Sequence, residues 1–370
     1  MRSTRLFARL LFFGAIIIIA SRAAAQTPAA GAPYKVVQTS QLMGTGRIDY
    51  VFADSENRRL YVPRGNAVLV FDLDTLKPAT PIPGLAGGHG VAVDPVSGHG
   101  FSSSMPVLMW DAKTLATIKT IAVQGRPDGI LFEPLTERIY IFSHAAPNAT
   151  VLNAKDGSIV GTIDLGGSPE QAASDGQGHL YVDIEDKDSI AVVDVKTMKV
   201  AATYSLGGKG GGPGGLGLDV KNQLLFAFCH QPATAVILSA TDGKILTTLP
   251  IGNGTDGGGF NPQTMEAFSS QGDGTLTVIK ENSPTSFAVE QTVQTMRGAK
   301  TCTLDAKTNH IVVIATERPA ATPAPSASGT DSAAAATPAP AGPVGFGEPG
   351  GRRGGFSGPA MLHILVVGRP

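Results

Sequence analysis

Charge is scarce in this sequence. Only 16% of its 370 residues are Asp, Glu, Lys or Arg, against about 25% in ordinary soluble domains. That argues against a coiled coil and against a charge-rich disordered chain. Cysteine is scarcer still, with Cys229 and Cys302 the only two, so disulfides are not the scaffold and a core must hold the fold. The local spacings of common metal and phosphate motifs are also missing: there is no H-E-x-x-H, no paired C-x-x-C and no G-x-x-x-x-G-K-[ST]. The glycine-rich run from Gly207 to Gly215 lacks that last pattern and precedes a strand pattern, so it reads as a flexible connecting loop.

Long apolar runs are lacking too. The one candidate, Leu10 to Ala20, is too short for a membrane span of about 20 residues. Arg2, Arg5 and Arg9 precede it and Ala23, Ala24 and Ala25 offer a small-residue cleavage site before Gln26, which is the layout of a secretory signal peptide over residues 1–25. The mature protein is therefore expected to be periplasmic or secreted, with no transmembrane anchor after cleavage and a short linker over residues 26–33. Cleavage would remove four arginines and no acid, moving the formal charge from −1 to −5. Bulk charge then disfavours nucleic acid and anionic membranes as partners, and the chain shows no basic stripe.

What is abundant is glycine, with 46 residues, and proline, with 26. They punctuate a repeat. Seven short apolar runs each close on an acid or amide, at Asp54, Asp94, Glu133, Asp175, Asp219, Asn261 and Asp305, with spacings of 40, 39, 42, 44, 42 and 44 residues. After each comes a second strand pattern, over residues 59–62, 100–103, 138–141, 179–182, 224–227, 265–268 and 310–313. Third strands end at Asp72, Asp111, Asn153 and Asp194, and fourth strands are rich in Thr, Ile and Val, as in 118–123 and 245–251. Four short strands per period of about 40 residues is the signature of a propeller blade, whose small sheet must pack against two neighbours. The fold class is thus all-β, a seven-bladed β-propeller of four-stranded antiparallel blades over residues 34–370, expected to be a monomer. Trp110, the one tryptophan, falls in a third strand and is read as inter-blade packing.

The seventh period stops one strand short. Its third strand spans 361–367, and the strand pattern at 34–42 supplies the missing fourth, so the N-terminal strand is expected to complete the last blade and close the ring. Residues 319–358 are dominated by Ala, Pro, Ser, Thr and Gly and are read as a disordered insertion between the second and third strands of that blade.

The repeat resembles the YVTN family of β-propeller repeats, through the blocks 59–62 with 70–72 and 179–182 with 192–194, and the whole chain resembles YncE-like exported propeller proteins. Blades 5 and 6 depart from the consensus, with glycines at 214, 215, 217 and 257–259 where bulkier strand residues are usual. The resemblance implies a seven-bladed propeller outside the cytoplasm. It leaves activity open, since related propellers include proteins with no known reaction, DNA-binding members, lactonases and subunits of amine-oxidising enzymes.

In a propeller the first strands line a central channel, and the residues that enter them ring its mouth. Counting five residues back from each closing acid or amide gives Asp49, His89, Asp128, Glu170, Gly214, Asp256 and Lys300. Six of the seven are ionisable in a chain poor in charge. Ends of second strands on the same face add Arg64, His144, Glu185 and His230. Carboxylates and imidazoles converging there suit a small ligand or a divalent metal, with Asp128, Glu170 and His89 as its candidate ligands, and would equally supply a general acid and base. Cys229 beside His230 is not a catalytic pair, because adjacent strand residues face opposite sides. The expected function is an exported binding or scaffold module with its ligand or protein partner at the mouth. The alternatives are a metal-dependent lactonase or hydrolase using the same mouth and, from the resemblance alone, a DNA-binding protein.

Overall fold

The computed structural model describes residues 32–318 and 358–370. The segment read as a signal peptide, linker residues 26–31, and insertion residues 319–357 lie outside the described residues. Seven four-stranded antiparallel sheets form the blades. Six are simple meanders whose first strands are Phe52–Asp54, Val91–Asp94, Pro127–Glu133, Pro169–Ser174, Pro213–Asp219 and Thr255–Asn261. The seventh runs Thr301–Asp305, His310–Glu317, Pro359–Gly368 and then Lys35–Thr45. The first strands touch one another in sequence around a closed circle, with Thr301–Asp305 meeting Phe52–Asp54. Among the described residues no helix is long and apolar enough to cross a membrane.

The repeat has a local cause. In every blade the closing acid or amide accepts a backbone N–H from the turn that follows: Asp54 from Asn57, Asp94 from Val96 and Ser97, Glu133 from Leu135 and Thr136, Asp175 from Gln177, Asp219 from Lys221, Asn261 from Gln263 and Asp305 from Lys307. The side chain thus replaces a backbone partner and sets the hairpin between first and second strands. Its repetition is architectural.

Each interface between blades carries its own apolar core, as the period demands. Between blades 1 and 2, for instance, Tyr61, Val70, Ile82, Val93 and Trp110 pack together, and Trp110 is fully buried over Gly100, where a Cβ would lie 2.2 Å from the indole ring. That bears out the packing role of the single tryptophan. Blades 7 and 1 join through Leu60, Val62, Phe71, Ile314, Leu362 and Ile364.

Closure is stitched by hydrogen bonds as well as by the core. The N-terminal strand pairs with the third strand of blade 7 from Lys35 opposite Gly368 to Thr45 opposite Pro359. The buried Arg64 donates to the carbonyls of Leu42, Gly44, Gly46 and Ala360 at 2.7–3.4 Å, binding blade 1 to both of those strands. On the other flank, Glu266 of blade 6 accepts from the Tyr34 hydroxyl at 2.6 Å and from Arg369 at 2.7 Å, and Arg369 stacks over the Tyr34 ring. Tyr34 and Arg369 thereby tie the closing blade to blade 6.

Candidate functional site at the channel mouth

Where the first strands begin, several carry a bulge. Register shifts fall between Pro127 and Ile130, Pro169 and Ala172, Pro213 and Gly215, and Thr255 and Gly258. Asp128, Glu170 and Asp256 sit inside these irregular stretches. A bulge breaks the strict alternation of a strand and re-aims a side chain, and here it accompanies the acids that gather at the mouth. In blades 1, 2 and 7 the equivalent Asp49, His89 and Lys300 precede the strand altogether.

These residues form one continuous chain of contacts around the mouth. His89 Nδ1 lies 2.7 Å from Asp49 Oδ2 and 3.1 Å from Asp128 Oδ1. His144 Nε2 lies 3.0 Å from Asp128 Oδ2 and 3.1 Å from Glu170 Oε1. Lys300 bonds Asp256 and stands 3.8 Å from Asp49 Oδ1. Seven of the ten residues expected at the mouth therefore meet in the order Glu170, His144, Asp128, His89, Asp49, Lys300, Asp256, drawn from blades 4, 3, 2, 1, 7 and 6.

Blade 5 enters by a different route. Its ring position is Gly214, and a Cβ there would lie 2.9 Å from His230 Nε2. The glycine makes room for an imidazole from the end of the second strand of the same blade, close enough to Asp256 to act on its charge. Glu185 opens a short 3-10 turn, Glu185–Lys187, and is half-buried; its charge is felt at His144 without direct contact. Arg64 is not at the mouth's charged chain, since its guanidinium is spent on the four backbone carbonyls that close the ring.

Two residues that the repeat did not single out complete the site. The Tyr50 hydroxyl reaches from blade 1 and donates to Glu170 Oε2 at 3.0 Å. Gln171 crosses to blades 5 and 6, accepting from Leu216 N–H and Gly258 N–H and donating to the Gly258 carbonyl at 2.7–3.1 Å. Below them lies a cavity of roughly 200 Å³ lined by Tyr50, Phe52, Ile130, Glu170, Phe260 and Cys302 among others. Tyr50 could have been suspected from its place beside Asp49; the reach of Gln171 has no local signature.

Charge at the mouth is mutually adjusted. Contact with Asp128 and then with Asp49 raises His89 to about 10, against the opposing effect of burial. The Glu170 carboxylate beside it lifts His144 to about 9. Burial raises Glu170 and Asp256 above the ordinary carboxylate range, outweighing their basic neighbours. Burial would raise Asp49 too, but His89 and Lys300 bring it below that range. The chain of contacts thus alternates acidic and basic side chains, with both imidazoles held toward their protonated form and Glu170 pushed toward its own.

That alternation leaves polar atoms short of partners. Asp128 Oδ1 and His144 Nε2 are buried atoms without hydrogen-bond geometry, although each has an oppositely charged group within 3.1 Å. One imidazole nitrogen carries at most one proton and cannot donate well to two carboxylates at once. A metal ion can engage one imidazole and two carboxylates together. Two groups have their ligand atoms within 4.8 Å of one another: Asp49, His89 and Asp128, and Asp128, His144 and Glu170. One imidazole with two carboxylates suits a borderline divalent ion such as Zn²⁺ or Mn²⁺. Of the three metal ligands expected from the sequence, Asp128 belongs to both groups, His89 to the first and Glu170 to the second.

Both thiols are free. Cys229 is fully buried and Cys302 is raised to about 11 by burial, so neither is an activated nucleophile. The loop between Gly207 and Gly215 is anchored by Gly212 N–H on Asp188 and by the N–H groups of His230 and Gln231 on the Gly211 carbonyl.

No family model matches the chain, and no curated protein matches it. Among solved structures it is similar to U3-55K, with a TM-score of 0.61 at 12% identity over 73% of this chain and 90% of that one. It is likewise similar to a chain of the mitotic checkpoint complex, with a TM-score of 0.64 at 11% identity over 84% of this chain and 96% of that one. These likenesses establish a seven-bladed β-propeller, structurally like WD40 propellers. Such propellers often act as binding or scaffold modules, and identity this low speaks to fold alone.

Proposed function

We propose that the protein is an exported binding propeller whose mouth holds a divalent transition-metal ion, with Asp128 at the centre of the site. The observation that carries this reading is the division of one carboxylate. Asp128 turns Oδ1 to His89 and Oδ2 to His144, and each imidazole is backed by a further acid. Export rests on the charged, apolar and small-residue segments of positions 1–25, and the YncE-like resemblance agrees with it.

Metal content after purification without added metal, followed by Zn²⁺ and Mn²⁺ titration, tests the site. The protein should bind a divalent ion with a rise in Tm, and Asp128→Ala should lose both. Unchanged Tm and no bound ion in the parent protein would remove the reading.

Hydrolysis at the same mouth is the second reading, favoured by Glu170. Burial holds this acid toward its protonated form beside the Asp128 carboxylate, which is the environment of a general acid. A panel of lactones should then be hydrolysed faster than in the absence of protein, in a manner abolished by chelator. Rates equal to the control contradict it.

A further inference from the structure

The step that precedes the ring positions carries its own pattern. Two residues before each ring position stand Arg47, Gly87, Arg126, Ser168, Gly212, Gly254 and Gly298. Five of these are Gly or Ser. The two arginines belong to blades 1 and 3, which flank blade 2, where the residue is Gly87. Two residues further along, in the same three blades, stand Asp49, His89 and Asp128.

The two guanidinium groups differ from the basic side chains in the mouth's chain of contacts. Lys300, His89 and His144 are already opposed by carboxylates. Arg47 and Arg126 are exposed, and among the described residues neither side chain makes a hydrogen bond or ion pair. Arg47 also lines a pocket of about 240 Å³ together with Ile48, Asp49, Gly65, Gly87, Gly88 and His89. That pocket runs from a free guanidinium to the imidazole and carboxylate of the first ligand group. Gly87 leaves it open, with φ +60° and no atom within 4 Å of where a Cβ would be.

We infer that this side of the mouth takes a small anionic ligand, with a carboxylate or phosphate group held by Arg47 and Arg126 above the Gly87–Gly88 segment and the rest of the molecule directed to Asp49, His89 and Asp128. The chemistry fits the residue type. Arginine presents a planar fork of donors that matches the paired oxygens of either anion, and it stays charged at any working pH. The acids below would repel such an anion by themselves. The two guanidinium groups, of which Arg47 already acts on the charge of Asp49, would offset that repulsion and orient the ligand with its anionic end outward. The inference deepens the reading of the mouth as a binding site by naming the class of ligand.

The test uses inorganic phosphate and succinate as the two anions, with glycerol as a neutral control. Binding to the mature protein is measured by calorimetry with and without Zn²⁺, and metal content is measured separately. At least one anion should bind while glycerol does not. Arg47→Ala and Arg126→Ala should each weaken binding about tenfold, the scale of one charge-assisted hydrogen bond, and the double substitution should bring it to the level of glycerol. Metal content and Tm should stay unchanged, and Arg47→Lys should retain part of the affinity. If neither anion binds, or if the double variant binds as well as the parent, the inference is wrong. Anion binding that survives while the protein holds no metal would support this subsite and overturn the metal reading alone.

Discussion

Asp128 differs from its equivalents in other blades because its two carboxylate oxygens face two different imidazoles. Asp256 is committed to Lys300, and Glu170 shares itself between His144 and the Tyr50 hydroxyl. Buried carboxyl groups elsewhere follow simpler rules. Glu281, 3% exposed, accepts from Asn222 at 2.6 Å through Oε1, while its Oε2 has no hydrogen-bond partner. Burial, with Asp219 adding to it, pushes Glu281 up to about 7. A carboxyl group whose folded value is raised favours the folded state while protonated, so its contribution is complete below the unfolded value near 4.5 and is lost as pH rises through about 7. Glu281→Gln keeps the acceptor for Asn222 and removes the ionisation. It should raise Tm at pH 8 and leave Tm near pH 4.5 almost unchanged; an equal shift at both pH values would show that ionisation is not the cause.

At the scale of strands, the glycines of blades 5 and 6 are the departure from the repeat that the structure explains best. A Cβ at Gly215 would stand 2.8 Å from the Gly257 carbonyl carbon, and one at Gly217 would stand 2.8 Å from the Gly259 oxygen. The first strands of these blades approach backbone to backbone. At Gly258 the obstacle is the Phe228 ring, 2.4 Å from a built Cβ, and its N–H and carbonyl also hold Gln171. Gly258→Ala should therefore cost about 1–3 kcal/mol as overpacking, read as a lowered midpoint in urea unfolding. Stability equal to the parent would mean that the neighbouring ring yields freely.

The same strands show how much could be read from sequence. The closing acid of each blade was legible because one residue type must recur wherever the same turn recurs, and counting back from it located Asp49, His89, Asp128, Glu170, Asp256 and Lys300 together. Which of them touch was not legible. Contacts such as His144 between Asp128 and Glu170 depend on bulges and on the twist of each blade, which leave no fixed spacing. His230 in the room left by Gly214 is a substitution across strands, so a count along one strand passes it by. Arg64 was placed at the mouth by its position at a strand end, while its chemistry is decided by the carbonyls of a distant segment.

The whole molecule depends on that distant segment. A four-stranded blade built from both ends of the chain is held at Arg64 on one side and at Glu266 with Tyr34 and Arg369 on the other. Arg64→Met would leave four carbonyls without their donor in a buried place, a loss of at least about 3 kcal/mol, while the metal content of the folded protein should be that of the parent. Loss of metal without loss of stability would return Arg64 to the binding site. Closure also bears on function, because it sets Asp49 and Lys300, from blades 1 and 7, side by side at 3.8 Å.

The central claim is that the mouth is a metal site organised by Asp128. A crystal of the protein grown with Zn²⁺, with diffraction recorded at the zinc edge, tests it most directly. The account predicts an anomalous peak at the mouth with Asp128 and either His89 and Asp49 or His144 and Glu170 at about 2.0–2.2 Å from the ion. No peak there at millimolar Zn²⁺, with the imidazole and carboxylate groups still paired to one another, would contradict it.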